Sequence, residues 1–345
     1  MKKRSVHPTL SQVARKAGVG TTTVSRVING GDRVSPETLA HVHRVIEAMG
    51  YVPNQAARSL RGERAKTIGL VIPSIADPFF SSCAETIEDI AQANDSLLIV
   101  TVTHDDIQRE AEKLNFLIRQ RTDGLIVAPA SSENVALSEL FSRVAIPVVT
   151  IDRPVAKSNI PSVVATNYGG ALAATKHLVE HGYRRILCLA GDSGLYTIRE
   201  RIRGYRSAMK SAHLSCMLDT STTTDYISVE YAIKKVLRSA NSPDAIFALK
   251  NSITIHAFEA LQRLRVDVPN SIALLGFDDF ELADTLSPSI SVVQQPIDEI
   301  GQIAAELLFN KLLDLRKSRT TVMPGGSQLI DVQTRLVLRR SCGCS

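Results

Sequence analysis

Residues 9–30 read TLSQVARKAGVGTTTVSRVING, and this stretch predicts two short helices joined by a tight turn. In its first half, apolar residues recur at the spacing of one helix face: Leu10, Val13, Ala14 and Ala17. Thr9 is placed to cap this helix at its start, and Gly18 ends it. The second helix begins near Thr21 or Thr22 and has its own apolar face, formed by Val24, Val27 and Ile28.

A third helix is predicted from Ser35-Pro36-Glu37, where a capping side chain, a proline and a first-turn acid follow one another. It ends at Gly50. Three short helices with a tight glycine turn describe a helix-turn-helix unit, whose second helix lies in the major groove of DNA. The outward face of that helix carries Thr21, Thr22, Ser25, Arg26 and Asn29.

These outward side chains are suited to reading bases. Arg26 has the planar donor fork that matches O6 and N7 of guanine, and the threonines offer hydroxyls and methyls to bases and phosphates. The alternative is a three-helix packing module with no DNA role. Short polar side chains beside an arginine, instead of solubilising Glu–Lys pairs, favour DNA binding.

Positive charge is concentrated in the same segment. Residues 1–62 hold ten Lys and Arg against three acids, a net charge of +7, whereas the remaining residues together carry −2. A basic segment attached to a near-neutral body predicts a polyanionic partner for that segment alone.

Composition excludes several other classes of protein. The chain has 345 residues, of which 44% are hydrophobic and 22% charged, as in a globular protein of two or three domains. No apolar run approaches the roughly 20 residues of a membrane span, so no membrane partner is expected. A secretory signal has an apolar stretch after its basic start, and this chain has none. Five cysteines in a chain of this length do not make a disulfide framework. We therefore expect a cytoplasmic protein.

From residue 66 onward, apolar strands alternate with amphipathic helices. Strands are predicted at 67–73, 96–103, 123–129, 146–152, 184–192, 244–250 and 271–279, with helices such as 80–94, 108–121, 169–181 and 199–212 between them. This alternation predicts doubly wound parallel sheets, and the number of strands favours two lobes that divide near 160–166.

Ligands of such sheets bind beyond the carboxyl ends of the strands. The polar and aromatic residues at those ends are Ser74, Asp77, Phe79, Phe80, His104, Asp105, Ser131, Ser132, Asp152, Arg153, Asp192, Ser193, Lys250, Asn251, Asp278 and Asp279. Any one of them could simply cap a helix. As a set they predict a cleft for a polyhydroxyl ligand such as a sugar.

The pattern AxxAGVxxxTVSRVIN at residues 14–29, followed by VSPETLAHVHRVIEAMGYVPNQAARSLR at 34–61, resembles the LacI/GalR (lactose-repressor) family of bacterial transcription regulators. The resemblance runs along the whole chain. It implies an all-α helix-turn-helix head at 1–50, a hinge helix at 51–62 and an α/β body at 63–345. The body is expected to have two doubly wound parallel-sheet lobes of the periplasmic-binding-protein type: an N-lobe at about 66–163 and 295–323, and a C-lobe at about 164–294 and 324–345.

The resemblance also implies which residues bind DNA. Thr21, Thr22 and Arg26 fall on operator-reading positions, and Thr9, Ser25, Asn29 and Arg33 complete the expected contacts of the head. In the hinge, Asn54, Ala57, Arg58 and Leu60 are expected at the minor groove, where Leu60 opens the central base step. Because the family usually has serine where Gly20 stands, one phosphate contact is expected to be missing.

In the body, the resemblance places Arg199 and Asp278 on effector-gripping positions and Phe79 on an aromatic wall, with Asp152, Asn167 and Gln295 near the pocket or the lobe crossings. Lys250-Asn251 stands where the family commonly has Asn-Asp. An added cation there would favour an anionic ligand, either a sugar acid or a phosphorylated sugar. A lysine paired with Asp278 or Asp279 would give the same sequence.

Together these features predict a transcription regulator, most simply a repressor of sugar or sugar-acid metabolism, controlled by an effector between two lobes. A homodimer on a near-palindromic operator is expected, because each subunit supplies one helix-turn-helix. No phosphate loop, GxSxG or HExxH motif occurs, so neither an enzyme nor a cofactor is expected. Cys342-Gly-Cys344 could bind a soft metal, but a two-cysteine tail without companions is predicted to be a frayed end, so no metal site is expected. The competing classes are a sugar-binding or sugar-processing protein with an incidental basic start, and a periplasmic receptor.

Overall fold

A computed structural model describes residues 8–28, 30, 33–51, 65–221, 225–317 and 328–344. The chain divides into two compact units, residues 1–65 and residues 66–345. Residues 52–62 of the predicted hinge lie outside the described residues. The predicted DNA contacts that also fall outside them are those of Asn29, Asn54, Ala57, Arg58 and Leu60.

The first unit, here called the head, contains three helices: α1 (Leu10–Ala17), α2 (Thr21–Ile28) and α3 (Pro36–Met49). A capping box begins α1, with Gln12 N donating to Thr9 Oγ1 at 3.4 Å and Thr9 N donating to Gln12 Oε1 at 2.8 Å. Gly18 ends α1 in the left-handed conformation, at φ 66°. Ser35 caps α3, and Gly50 ends it in the same left-handed form.

A small apolar core holds the three helices together. The buried side chains are Val13, Ala14, Ala17, Val24, Val27 and Val42. Val19, in the turn between α1 and α2, packs against this core. The ring of His41 on α3 adds a hydrogen bond between α3 and α1, with Nε2 3.1 Å from the carbonyl oxygen of Ala17. The apolar face of α2 is thereby buried, which fixes the opposite face as the exposed one.

The second unit, here called the body, begins with an N-lobe. Its strands are β1 (Thr67–Ile72), β2 (Leu97–Val102), β3 (Gly124–Val127), β4 (Val148–Ile151) and β5 (Ser162–Ala165), joined later by β11 (Leu329–Val332). They form one parallel sheet in the order β11-β5-β4-β3-β1-β2. Its helices are α4 (Pro78–Ala93), α5 (Ile107–Arg119), α6 (Val135–Arg143) and α11 (Ile297–Lys317).

The C-lobe repeats this plan. Its strands are β6 (Ile186–Leu189), β7 (Met217–Asp219), β8 (Ala245–Ala248), β9 (Ala273–Phe277), β10 (Ser291–Gln294) and β12 (Arg335–Val337). They form a second sheet in the order β12-β10-β9-β8-β6-β7, parallel except for β12 against β10. Its helices are α7 (Asn167–Glu180), α8 (Tyr196–Ser211), α9 (Tyr226–Leu237) and α10 (Asn251–Arg263).

Apolar clusters cover both faces of each sheet. In β1, for example, Leu70 belongs to one N-lobe cluster and Val71 to the other. Burial on both faces explains why the strands are continuous Ile/Val/Leu runs. Both lobes are therefore doubly wound α/β units, as the sequence predicts. Among the described helices, none has both the length and the apolar character needed to cross a lipid bilayer.

The chain passes between the lobes three times: after β5, after β10 and between β11 and β12. The third passage corrects the expected lobe boundary at 324. Residues 329–332 belong to the N-lobe, because β11 pairs with the edge strand β5, with Ile330 opposite Val163. The chain returns to the C-lobe only at 333–334. There Thr334 N donates to Thr166 Oγ1 at 2.9 Å, which joins the first and third passages.

Candidate nucleic-acid interface and inter-lobe cavity

The exposed face of α2 carries Thr21, Thr22 and Arg26, and Ser25 beside them is half-buried. This face lies opposite Val24 and Val27, which are buried in the head core. Four more cations of the head are exposed: Arg15, Lys16, Arg33 and Arg44. Among the described residues of the head, the only carboxylates are those of Glu37 and Glu47. The head therefore presents a positive surface with an arginine and hydroxyls on its second helix.

The first turn of α2 has a backbone cap only. The carbonyl of Gly20 accepts from Thr23 N at 3.0 Å and from Val24 N at 3.2 Å. A Cβ atom at Gly20 would lie 3.5 Å from Thr22 Oγ1, which is an ordinary van der Waals distance. The position therefore has room for a capping side chain. Thr9, by contrast, already uses its hydroxyl to cap α1.

In the body, the buried side chain of Arg201, on α8, joins several elements of the C-lobe. Its Nε donates to Asn167 Oδ1 at 2.7 Å, and one terminal nitrogen donates to Leu249 O at 2.7 Å and to Asp278 Oδ2 at 3.1 Å. Its guanidinium lies 3.6 Å above the ring of Phe277. Arg201 is buried, so these acceptors fix its position and its charge is balanced by Asp278.

Arg199, which the resemblance places at the effector, lies away from the Asp278 cluster. Its guanidinium donates to Glu133 Oε1 of the N-lobe at 3.1 Å and to Gly194 O at 3.3 Å, and its side chain is 41% exposed. Residues two apart on an α-helix point about 200° away from each other, so Arg199 and Arg201 occupy opposite faces of α8. Arg201, and not Arg199, is the arginine that contacts Asp278.

A cavity of about 420 Å³ lies between the lobes, next to this cluster. Its walls are formed by Phe79, Ser82, Asn251, Asp278, Asp279, Gln294, Gln295, Pro296, Ile297, Asp298 and Glu299. Phe79 and Ser82 come from the N-lobe helix α4, and Asn251 begins the C-lobe helix α10. The second passage between the lobes supplies the rest of the wall at 294–299. The volume is within the range of small-molecule sites.

Polar atoms in this wall are arranged for hydrogen bonding. Gln295 Nε2 donates to Asp278 Oδ1 at 2.6 Å. Gln295 Oε1 is buried and accepts no hydrogen bond from any described residue. Asp279 is held by Arg339 in a bidentate pair, at 3.0 and 2.9 Å. An unused buried acceptor beside a fixed carboxylate suits a ligand that carries hydroxyl or amide donors.

A second buried charge network lies at the carboxyl end of β4. Arg153 Nε donates to Asp152 Oδ2 at 2.9 Å, and a terminal nitrogen donates to Asp105 Oδ1 at 2.6 Å and to Pro129 O at 3.0 Å. Burial raises the pKa of Asp152, while the positive charges of Arg153 and Arg201 act against that rise. The carboxylate of Asp152 is thus coupled to charges in both lobes.

Lys250 takes a partner that neither sequence alternative named. Its Nζ lies 3.5 Å from Asp77 Oδ2, so a C-lobe cation pairs with an N-lobe carboxylate rather than with Asp278 or Asp279. Asp77 also caps α4 by accepting from Phe79 N at 3.1 Å. Phe79 and Phe80 pack edge to face at 5.0 Å, and Phe80 is buried in the N-lobe core without lining the cavity.

These features define a class of protein, namely a DNA-binding regulator with a two-lobed ligand-binding body. Comparison with known proteins agrees: residues 9–54 match the family of bacterial regulatory proteins called the lacI family, and residues 175–342 match the periplasmic binding protein-like domain. A ribose operon repressor of Haemophilus influenzae is 30% identical over 317 residues, 91% of this chain and 95% of that protein. The chain belongs to the lacI family.

Other similar proteins support the same assignment. The HTH-type transcriptional repressor PurR of Aliivibrio salmonicida is 28% identical over 96% of this chain and 98% of its own length. A lac repressor dimer bound to operator and the anti-inducer ONPF shares the fold, with a TM-score of 0.84 at 23% identity over 98% of this chain and 99% of that one. A complex of the regulator CelR with cellobiose has a TM-score of 0.69 at 30% identity, over 97% and 100% of the two chains. The protein is thus a DNA-binding transcription regulator and not an enzyme.

Proposed function

We propose that this regulator is a homodimeric repressor of a sugar-related operon, controlled by a neutral polyhydroxyl ligand in the inter-lobe cavity. The observation that carries the proposal is the cavity wall, in which a fixed carboxylate, Asp278, lies beside the unused acceptor of Gln295. Because bacterial operators lie in the cytoplasm, the repressor acts there.

The proposed reader of operator bases is the exposed face of α2. Arg26 donates to guanine, and Thr21 and Thr22 contact bases or phosphates in the major groove. Each subunit supplies one such helix, so a homodimer binds two half-sites related by two-fold symmetry. Arg33 and Ser25 support this contact, together with Asn29, Asn54, Ala57, Arg58 and Leu60 of the segments outside the described residues.

Charge favours a neutral ligand over a sugar acid or a sugar phosphate. The cavity wall contains four carboxylates, those of Asp278, Asp279, Asp298 and Glu299, and no lysine or arginine among the residues that line it. The nearby cations are already paired, Arg201 with Asp278 and Lys250 with Asp77. An anion would face these carboxylates without a free counter-charge, whereas sugar hydroxyls donate to them. The named relatives include ribose operon repressors and a regulator in complex with cellobiose.

Control of DNA binding follows from the two ion pairs that join the lobes, Lys250–Asp77 and Arg199–Glu133. A ligand that contacts both cavity walls changes the angle between the lobes and the energy of these pairs. The lobe angle is coupled to DNA affinity through the segment that joins the head to the body. By linkage, operator DNA changes the affinity for the ligand by the same factor.

The DNA-reading role is tested with Arg26→Ala, measured by fluorescence anisotropy on operator fragments selected from the promoter regions near the protein's own locus, and on random-sequence DNA. We expect specific binding to fall by about 1–3 kcal/mol, with a much smaller loss on random DNA. Arg44→Ala removes the same charge from α3 and should weaken binding to operator and random-sequence DNA by the same factor. Equal losses on both DNAs for Arg26→Ala would refute its role in base reading.

The ligand class is tested by thermal shift with ribose, cellobiose, gluconate and ribose 5-phosphate. A neutral sugar should raise the melting temperature in proportion to the logarithm of its concentration, and the two anions should not. Gln295→Leu should abolish the response, whereas Gln302→Ala, on the exposed face of α11, should keep it. A response to the anions alone would overturn the proposed ligand class and leave the DNA-binding proposal intact.

A further inference from the structure

Four metal-ligating side chains meet in the C-lobe, at the opposite end of α7 from Asn167. His177 lies in the last turn of α7, His181 follows the helix end, and their rings are 4.4 Å apart. Cys344 Sγ lies 3.6 Å from His177 Nε2 and 3.4 Å from His181 Nε2. Cys342 Sγ lies 3.3 Å from both His177 Nε2 and Cys344 Sγ.

The carboxyl-terminal segment is anchored here rather than frayed, which corrects the expectation from its sequence. Ser341 and Cys342 are fully buried. Ser341 Oγ donates to Leu274 O at 2.6 Å and accepts from Ser291 N at 2.8 Å. Gly343 has φ 96°, and a Cβ there would come within 2.8 Å of Tyr183 Oη. This glycine turn therefore brings Cys344 back over the two histidines.

Four of the six ligand-to-ligand distances approach those expected around a tetrahedral zinc ion. With bonds of about 2.3 Å to sulfur and about 2.1 Å to nitrogen, the edges of such a site are about 3.8 Å between sulfurs and about 3.6 Å between sulfur and nitrogen. The measured separations run from 3.3 to 3.6 Å. The ligating atoms of His177, His181 and Cys344 all lie within 4.8 Å of one another. Cys342 lies outside this group, so its Sγ and the ring of His181 must move closer together when a cation is enclosed by all four side chains.

The chemistry of the donors agrees with this geometry. Two histidines four residues apart share one face of a helix end, and Cys-x-Cys supplies two thiols from one turn. Thiolate and imidazole are the ligands that zinc and other soft cations prefer.

We propose that His177, His181, Cys342 and Cys344 form a binding site for one soft metal cation, best matched by Zn²⁺, which ties the carboxyl-terminal segment to α7. Binding displaces the thiol protons of Cys342 and Cys344, so the two thiolates balance the charge of the divalent ion. The site is separate from the inter-lobe cavity, and none of its four residues lines that cavity.

The bound ion is expected to stabilise both elements that it joins. One is α7, which begins at Asn167, the acceptor of Arg201. The other is the segment that holds Arg339 on Asp279. Zn²⁺ should therefore raise the melting temperature of the full chain without competing for ligand binding, because the cation binds only the folded site.

The experiment titrates Zn²⁺ into the full-length protein, purified with a chelator and a reductant, by isothermal titration calorimetry. Wild type should bind one Zn²⁺ per chain. Cys344→Ser and His177→Asn should each weaken binding by about 100-fold or more, since even outer-shell changes reduce metal affinity by 10–100-fold. Cys216→Ser removes an exposed cysteine outside the cluster and should bind as wild type does.

A second measurement keeps the proposal testable if a variant misfolds. Co²⁺ added to the wild-type protein should give the intense absorption of tetrahedral cobalt with thiolate-to-metal charge transfer, and Zn²⁺ should abolish it. The proposal is overturned by absence of this spectrum or by undiminished Zn²⁺ affinity in folded Cys344→Ser. It is equally overturned if mass spectrometry of the reduced, chelator-treated protein finds Cys342 and Cys344 joined in a disulfide that blocks Zn²⁺.

Discussion

Lys250 at the start of α10 and Asp77 at the start of α4 form an ion pair between the two lobes, with Nζ 3.5 Å from Oδ2. Each residue stands directly before a helix that follows a strand of its own lobe. Arg199 and Glu133 form a second inter-lobe pair at 3.1 Å. The charge of Lys250 is thus paired with Asp77 across the two lobes, and it is not available to pair with an anionic ligand.

The Lys250–Asp77 pair is predicted to stabilise the contact between the lobes modestly. The lysine side chain is 34% exposed and that of the aspartate 17%, so solvent screens the pair. A double-mutant cycle with Lys250→Met and Asp77→Asn should give a coupling free energy of about 0.5–1 kcal/mol in denaturant unfolding. Asparagine at 77 keeps the helix cap. A coupling that does not fall with added salt would contradict an electrostatic origin.

Arg201 is predicted to be far more important for stability than Arg199. Arg201→Met leaves the partly buried carboxylate of Asp278 without its cation, so the free energy of unfolding should fall by about 3–5 kcal/mol. Arg199→Met removes an exposed pair and should lower it by less than about 1 kcal/mol. Thermal unfolding of both variants checks the order, and similar losses for the two would contradict the different burial of these arginines.

A serine at Gly20 is predicted to stabilise the head. The residue is the N-cap of α2, its φ lies outside the left-handed region, and a Cβ has room. Gly20→Ser should therefore raise the free energy of unfolding by a few tenths of a kcal/mol. Gly18→Ser is the matched control, because φ there is +66° and the change should lower stability by about 1–2 kcal/mol. A loss at position 20 as large as that at 18 would refute the cap geometry.

The pH dependence of stability is predicted to include a contribution from Glu110. This carboxyl is fully buried, and its Oε1 accepts from Ala130 N at 2.6 Å. Burial raises its pKa above the ordinary 4.5, against the hydrogen bonds from Ala130 and Asn134. The folded pKa is thus higher than the unfolded one, so this contribution is fully present below about pH 4.5 and lost as pH rises through the folded pKa.

Glu110→Gln removes that titration. Relative to wild type, the variant should therefore gain stability as pH rises from 4 to 8 in denaturant titrations at each pH. Glu112→Gln, on the exposed face of the same helix, removes the same charge and serves as the control. A stability difference between Glu110→Gln and wild type that stays constant across this range would contradict the raised pKa.

Local sequence signals were enough to predict the head. The capping side chain of Thr9, the turn at Gly18 and the Ser35-Pro36 start act within a few residues, so each helix boundary follows from its neighbours. In the body, six of the seven predicted strands are runs of almost entirely buried residues whose core pattern is visible in the sequence, and the exception is the edge strand β2. Among the strands not predicted, β7 and β12 have three residues each and no buried residue, whereas β5 and β10 are mostly buried runs of only four residues. They depend on pairing with distant strands.

Helix phase decides which arginine of α8 faces the interior of the C-lobe. The segment from 199 to 206 contains four arginines, and the motif alone does not say which one faces inward. The buried residues Ile198, Ile202 and Tyr205 repeat at helical spacing, and Arg201 falls on the same face. The spacing of these apolar residues in the sequence therefore indicates that Arg201 is the arginine that faces inward. The partners of Cys342 and Cys344 lie more than 160 residues away in the chain, and no local pattern indicates them.

Thr166 and Thr334, at the first and third passages between the lobes, are joined by their hydroxyls at 3.1 Å and by the backbone amide of Thr334. We expect two adjacent chain segments fastened in this way to act as a hinge about which the lobes rotate. A shift of a fraction of an ångström where a ligand touches the walls is magnified with distance from that hinge, so distant surfaces of the lobes move furthest.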